Sequence, residues 1–223
     1  PTSSGALGWR TSRWWAGAWK RLPTNATCAN RVHRSMWEPR PSNAVANHTR
    51  PEVLEVRGSF FWRHRGDGRT YDPLFNTWLL PRVDGQHTGT TDENIQWAAC
   101  KWGISDNVLR AMAAAESTWF QGLREEDGSC VQKRGCGDMV KVATNESRTY
   151  CNELNRFGYD YSRDFGEGVC PKTFSIIGVM SWQDPDWGRM LANQNGTFPF
   201  SRDSTAFALD YAAAHLSRCM EGW

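Results

Sequence analysis

Glu116 is the residue whose setting most invites chemistry. Residues 106–117 read as a helix with Leu109, Met112, Ala115 and the following Trp119 on its apolar side. Glu116 stands four residues after Met112 and seven after Leu109, so the spacing predicts a carboxyl facing inward at the C-terminal end of the helix. Desolvation and the negative helix end both disfavour the anion there, and the group is expected to keep its proton more readily than an exposed glutamate. A carboxyl protonated near neutral pH is what a general acid needs to protonate a leaving glycosidic oxygen. The plainer alternative is a buried glutamate satisfied by local hydrogen bonds.

A second carboxylate decides between mechanisms, because an inverting glycosidase needs a base about 6.5–9.5 Å from the acid to hold a water. Asp138 is the first choice: Gly137 and Met139 flank it just after Cys136, and a disulfide-fixed turn can aim a side chain. Glu125, Glu126 and Asp127 follow, although such an acidic run is commonly a solvated loop. Asp184 and Asp186 lie beside Trp182 and Trp187 around Pro185, a turn-like stretch whose paired indoles suit stacking on sugar faces. The chain has 13 Trp, many of which will serve the core instead. It contains no Gly-x-Ser-x-Gly elbow, no Gly-rich phosphate loop and no His-Glu-x-x-His, and its five His are scattered. His215 reads as helix packing. No metal ligation and no cofactor are expected.

The elements that must position Glu116 carry clear signals. Thr90 followed three residues later by Glu93 is a capping box, opening a helix expected to run to about Trp102 with Gly103 as its stop. Ser105 is placed to cap the helix bearing Glu116. Between Gly122 and Pro171 the chain is loop-rich, with one helix expected from Arg148 to Phe157, closed by Gly158. A last helix starts at the Ser204 cap and carries Phe207, Ala208, Tyr211, Ala214, His215 and Cys219 at helical spacing. Residues 1–90 are rich in Pro, Arg and Trp. There a short helix is expected around Trp14–Lys20. Val53–Arg57 and Ser59–Trp62 have strand composition and precede Gly66-Asp67-Gly68, suggesting a hairpin, and the prolines at 39, 41 and 51 favour an extended strap.

Gly103-Ile104-Ser105-Asp106 leading into Ala113-Ala114-Ala115-Glu116-Ser117-Thr118-Trp119 resembles the catalytic helix of soluble lytic transglycosylases and related lysozyme-like enzymes. The resemblance implies that Glu116 is the catalytic acid/base. Ser175-Ile176-Ile177-Gly178-Val179-Met180-Ser181-Trp182 is similar to the family's Gly-Leu-Met-Gln segment, which lines the groove beside that glutamate. Ser204–Tyr211 resembles the later helix whose tyrosine approaches the groove, making Tyr211 a candidate contact to Glu116 or the sugar. The similarity spans roughly residues 91–220, with Ser117, Trp119, Gly178, Met180, Ser181, Trp182, Gln183 and Tyr211 as the implied substrate-lining set. Two departures stand out. Ser181 replaces the family's Gln, with Gln183 two residues on, and the separation of Glu116 from Gly178 is far longer than usual. The family's chemistry uses one glutamate, which protonates the leaving oxygen and then assists attack by the sugar's 6-hydroxyl to give a 1,6-anhydro product.

Composition bounds these readings. At 223 residues with a net charge of +2, the chain suits one well-buried domain with an arm and offers no polybasic footprint for nucleic acid. No apolar run approaches the roughly 18 residues that cross a bilayer. The mean hydropathy of −0.63 fits a polar-surfaced protein. Seven Cys without a Cys-x-x-Cys pair suggest an oxidising compartment, with Cys130–Cys136, Cys151–Cys170 and Cys100–Cys219 as candidate bridges. Asn25, Asn47, Asn145 and Asn195 head Asn-x-Ser/Thr sequons, which matter only in a glycosylating host.

The expectation is therefore a mainly α (α+β) lysozyme-like domain over residues 91–223, with a small β or loop element at the cleft and a disulfide-rich insertion at 122–171. An extended arm with short strands, residues 1–90, packs on it. The expected function is cleavage of β-linked bonds in a polysaccharide, above all peptidoglycan, by a secreted, soluble, monomeric protein without a transmembrane segment. An inverting hydrolase of another polysaccharide using Glu116 and Asp138, or a non-catalytic carbohydrate-binding module, are the alternatives.

Overall fold

The structure is a computed structural model and describes residues 22–65, 75–126, 129–140, 143–181 and 195–220. In chain order it contains α1 (Asn25–Arg31), a short turn of helix at Pro41–Asn43, α2 (Ala44–His48), α3 (Val53–Arg65) and tight helical turns over Phe75–Leu79 and Leu80–Arg82. There follow α4 (Thr91–Trp102), α5 (Asp106–Ser117), α6 (Asn145–Asn155), α7 (Tyr161–Phe165), β1 (Thr173–Phe174), β2 (Val179–Met180), α8 (Phe200–Asp203) and α9 (Thr205–Met220). The fold is mainly helical, with one small antiparallel sheet among the described residues, in which Thr173 pairs with Met180 and Phe174 with Val179. None of the described helices is long and apolar enough to cross a membrane.

α9 is the axis of the core. Thr205 through Tyr211 are all buried, so its first two turns are enclosed on every side, as befits a central helix rather than an amphipathic one. α4 packs along it, and α1, α2, α5 and α8 complete the shell. The expected capping box is present: the Thr90 hydroxyl accepts from the Glu93 N–H, and the Glu93 carboxylate accepts from the Thr90 N–H at 3.0 Å. Gly103 ends α4 in the left-handed conformation expected of it (φ 66°). Ser105 occupies the N-cap of α5, but its side chain makes no capping bond. The third helix begins earlier than expected, at Asn145 instead of Arg148, because Thr144 and Ser147 form a reciprocal capping box.

The hairpin expected at 53–62 is instead α3. Its β-branched and aromatic residues have strand composition, but Val56 and Phe60, four residues apart and both buried, form one face of a helix. Phe60 packs its ring 6.1 Å from those of Phe207 and Tyr211 on α9. Burial against the core thus overrides local propensity. The segments Trp14–Lys20 and Gly66–Gly68 lie outside the described residues.

The bridges Cys130–Cys136 and Cys151–Cys170 form as expected, within a second small core that also holds Tyr150, Leu154, Tyr161, Phe174 and Phe198. The third bridge differs: Cys100 joins Cys28, at a Cα separation of 5.6 Å, because α1 packs on α4 and buries Cys28 completely, while Cys219 is an exposed free thiol.

A buried charge cluster pins α4 to α9. Lys101 Nζ donates to Asp210 Oδ2 at 2.7 Å and to Asp84 Oδ1 at 2.9 Å, and the Trp102 indole N–H donates to Asp210 Oδ1 at 2.6 Å. The backbone N–H groups of Asp84 and Gly85 complete the Asp210 carboxylate. Here Gly85 has to be glycine: its φ is 63°, and a Cβ would stand 2.7 Å from that of Phe207. At the other end of α4, burial alone would raise the Glu93 carboxyl, but the Ser35 and Thr90 N–H groups and the Arg34 guanidinium outweigh it and hold it below its ordinary range. Asp92 is likewise held low, as hydrogen bonds from Arg110 and Gln96 overcome its burial.

Two outcomes follow for stability. Lys101→Met leaves the Asp210 carboxylate buried without its cation and is expected to cost about 3–5 kcal/mol in denaturant unfolding. Because Asp92 and Glu93 bind protons less readily folded than unfolded, their contribution is present above the ordinary carboxylate range and lost as pH falls below about 4. Glu93→Gln should therefore flatten the pH dependence of the melting temperature in that acid window, and an unchanged slope would contradict the assignment.

Candidate functional site

Glu116 sits on the last turn of α5. The helix buries Leu109, Ala113 and Ser117, spaced by four, so the inward stripe is rotated from the one expected through Met112 and Ala115. Glu116 lies on the shoulder of that stripe and is exposed, not inward-facing. The desolvation expected for it is therefore not supplied by the protein itself. Its carboxylate is nonetheless placed, against the backbone of Gly178 in the turn joining β1 to β2. An added Cβ at Gly178 would stand 3.0 Å from Glu116 Oε2, and the glycine φ is 64°.

Three bonds fix that turn beneath Glu116. Ser117 Oγ, buried, donates to the Ile176 carbonyl at 2.7 Å. The Ile176 N–H in turn donates to Gln121 Oε1 at 3.1 Å, and the Gly178 N–H donates to the Ser175 carbonyl. The two candidate segments, separated by some sixty residues of sequence, are thus brought into direct contact.

The chain leaves α5 under strain. Thr118 (φ 54°) and Trp119 (φ 70°) are consecutive non-glycine residues in the left-handed region, which costs about 1–2 kcal/mol per residue. The strap before α2 holds them. Arg40 Nε donates to the Thr118 carbonyl at 2.8 Å, Asn43 Nδ2 donates to the Trp119 carbonyl at 2.8 Å, and Asn43 Oδ1 accepts from the Gln121 N–H. Glu38 anchors the strap by accepting from the Thr91 N–H and hydroxyl and from Asn47. Sequence reasoning passed over Arg40, Asn43 and Gln121, because the partners that define them lie far away in the chain.

The other expected site residues fall in different places. Trp119 is half-buried, its indole N–H donating to the Arg110 carbonyl and its ring edge-on to Trp37 at 6.0 Å. Met180 is half exposed on β2, and its carbonyl accepts from the Asn195 side-chain amide. Ser181 is buried, its N–H donating to the Lys172 carbonyl. Tyr211 is a core residue, buried, with its ring 4.6 Å from His215 and stacked near Phe60 and Phe207. Asp138 is exposed on a strand-like stretch that bridges through Cys136 to Phe174 and through Met139 to Pro171. The register aligns Asp138, Lys172 and Ser181 in one row, two strand spacings across and three residues along from Gly178. That is on the order of 14 Å. Glu125 and Glu126 are exposed on the finger that closes at Cys130. Trp182, Gln183, Asp184, Asp186 and Trp187 lie outside the described residues, as does Asp127. Among the described residues, no group of three or more His, Cys, Asp or Glu could hold a metal ion.

Comparison with known protein families, curated proteins and solved structures finds no match to the chain.

The contact between Glu116 and Gly178 makes a measurable claim. Gly178→Ala is expected to destabilise by about 1–2 kcal/mol, from the left-handed φ. In a double-mutant cycle with Glu116→Ala the two effects should add to within about 0.5 kcal/mol, because the exposed carboxylate can swing aside from the new methyl. A larger coupling would show the carboxylate to be rigidly held against the turn.

Proposed function

We propose that the protein cleaves β-linked glycosidic bonds of a polysaccharide, peptidoglycan first among them, with Glu116 as the general acid/base. One observation carries this reading: an exposed carboxyl held at a helix end against a glycine turn, where a bound chain can reach it, and where the two segments resembling lytic transglycosylases meet. Seating a glycan over the β1–β2 turn would take the carboxyl out of water, and desolvation favours the protonated form that a general acid needs. Glu116 would give its proton to the leaving oxygen as the C1–O bond breaks. As carboxylate it would then take the proton of the sugar's 6-hydroxyl as that oxygen attacks C1, forming the 1,6-anhydro ring.

The single-glutamate route is the one the resemblance implies, and the register of the sheet sets the Asp138 backbone two strands across and three residues along from the Gly178 turn that Glu116 contacts. Asp138 remains the base of the alternative hydrolase, and a carbohydrate-binding module that stacks sugars on Trp is the non-catalytic alternative. The three disulfides support a protein that matures in an oxidising, extracytoplasmic compartment.

The decisive experiment is mass spectrometry of products from peptidoglycan and a panel of other polysaccharides, for the protein and for Glu116→Gln. Peptidoglycan fragments lighter by one water than hydrolysis gives, absent with the variant, are the expected result. Hydrated products that also vanish in Asp138→Asn would establish the two-carboxylate hydrolase. Glycan binding without any Glu116-dependent product would leave the binding module.

A further inference from the structure

Gln121 is almost wholly buried at 1% exposure, four residues beyond the end of α5, and every polar atom of its side chain is committed to backbone from a different part of the chain. Oε1 accepts from the Ile176 N–H at 3.1 Å, and Nε2 donates to the carbonyls of Ser201 at 2.7 Å and Arg202 at 3.0 Å on α8. Its own N–H donates to Asn43 Oδ1 on the strap at 2.8 Å, and Gly135 of the disulfide finger packs so closely that a Cβ there would lie 2.4 Å from the Gln121 carbonyl carbon. Ile176 is thereby gripped from both sides, its carbonyl by Ser117 and its N–H by Gln121, two residues before the Gly178 that lies against Glu116.

We propose that Gln121 is a positioning residue: through Ile176 it sets the Gly178 turn against the Glu116 carboxyl and holds that carboxyl in register with the bond it protonates. The inference rests on the reading of Glu116 as acid/base. An apolar side chain of the same length would fill the space but release the Ile176 N–H together with the Ser201 and Arg202 carbonyls of α8, so the turn would keep its holds through Ser117 and Gly135 but lose the one from Gln121. A misplacement of about 1 Å at a reacting group costs about 100-fold in rate.

The test is Gln121→Met in the full chain, with backbone hydrogen exchange and steady-state kinetics measured together. Exchange at the Ile176 and Gly178 amides should quicken by about tenfold or more, with the amides of α9 unchanged. On whichever glycan the wild type cleaves, kcat should fall by about 100-fold with KM within about twofold, since binding is untouched and alignment is lost. Gln121→Glu supplies a second readout, also available if the Met variant does not fold. Its carboxylate still accepts from Ile176 but has no proton for the Ser201 and Arg202 carbonyls, and protonation restores one. Because the bond to the Ile176 N–H survives in it, Ile176 and Gly178 protection and kcat should stay near those of the wild type, and a loss of kcat with that protection intact would place the effect in α8 and overturn the proposal. A folded Gln121→Met protein with wild-type exchange at Ile176 and Gly178, or with unchanged kcat, overturns the proposal. Were the wild type to cleave no glycan, the assignment of activity would be what fails, and the exchange measurement alone would decide whether Gln121 sets the turn.

Discussion

The Lys101 ammonium buried between Asp210 and Asp84 is the constraint from which the positions of the other elements follow. Two carboxylates and one ammonium withdrawn from water are tolerable only with every lone pair and proton matched. The Trp102 indole and the backbone N–H groups of Asp84 and Gly85 do this. The geometry admits little slack: α4 must present both Lys101 and Trp102 to the same turn of α9, and the 84–85 bend must approach within reach of Phe207. Asn25 donates to the second oxygen of Asp84, and Cys28 on the same helix is bonded to Cys100, so α1 is fastened to the cluster twice. Once α4 is fixed in rotation and height, Gly103 and Ile104 turn the chain directly into α5, and the direction of α5 determines where Glu116 emerges.

The far end of α5 depends on a different set of bonds. A helix that stops immediately after Glu116-Ser117 places the carboxyl at its open end, but only because Thr118 and Trp119 accept an unfavourable backbone. Neither residue can stabilise that conformation by itself. Arg40 and Asn43 hold the carbonyls of both strained residues, the Trp119 N–H closes the end of α5 on the Ala113 carbonyl while its indole N–H reaches that of Arg110, and Glu38 ties the strap to the start of α4. The strap is therefore structural support for the helix end. Proline at 41 suits the first position of the helical turn Pro41–Asn43, where no N–H is needed, and that turn, not an extended strap, aims Asn43 at the strained residues.

Much of this was legible in the sequence where the signal is local. The Thr90–Glu93 box, the Gly103 stop and the Ser204 cap each need only neighbouring residues, and the helices they bound were found to within a residue or two. α3 was misread because Val, Phe and Trp favour strands locally, while the feature that decides its structure, the packing of Phe60 on Phe207 and Tyr211, joins residues about 150 positions apart. The Cys28–Cys100 bridge was missed for the same reason, since spacing alone carries no information on which helix packs on which. For Glu116 the type of residue and its helix were evident, but the phase was not. An i, i+3 stripe through Leu109 and Met112 and an i, i+4 stripe through Leu109 and Ala113 are both apolar in this alanine-rich helix, and they differ by enough rotation to move a carboxyl from the core to the surface.

That rotation has a chemical consequence. A glutamate buried in the free protein would carry its desolvation permanently, at a cost to folding, and would be closed to a polymeric ligand. A glutamate on the shoulder, backed by a glycine with no side chain to separate it from the turn, is hydrated until something covers it. The immobile parts of the site are then the backbone of Ile176 and Gly178 and the side chains of Ser117 and Gln121, all but Gly178 buried, whereas the Glu116 carboxyl faces outward. On the proposed reading, such a division assigns precision to the scaffold and leaves the change in solvation to a bound glycan, so the environment that suits an acid catalyst would arise only in the complex that needs it.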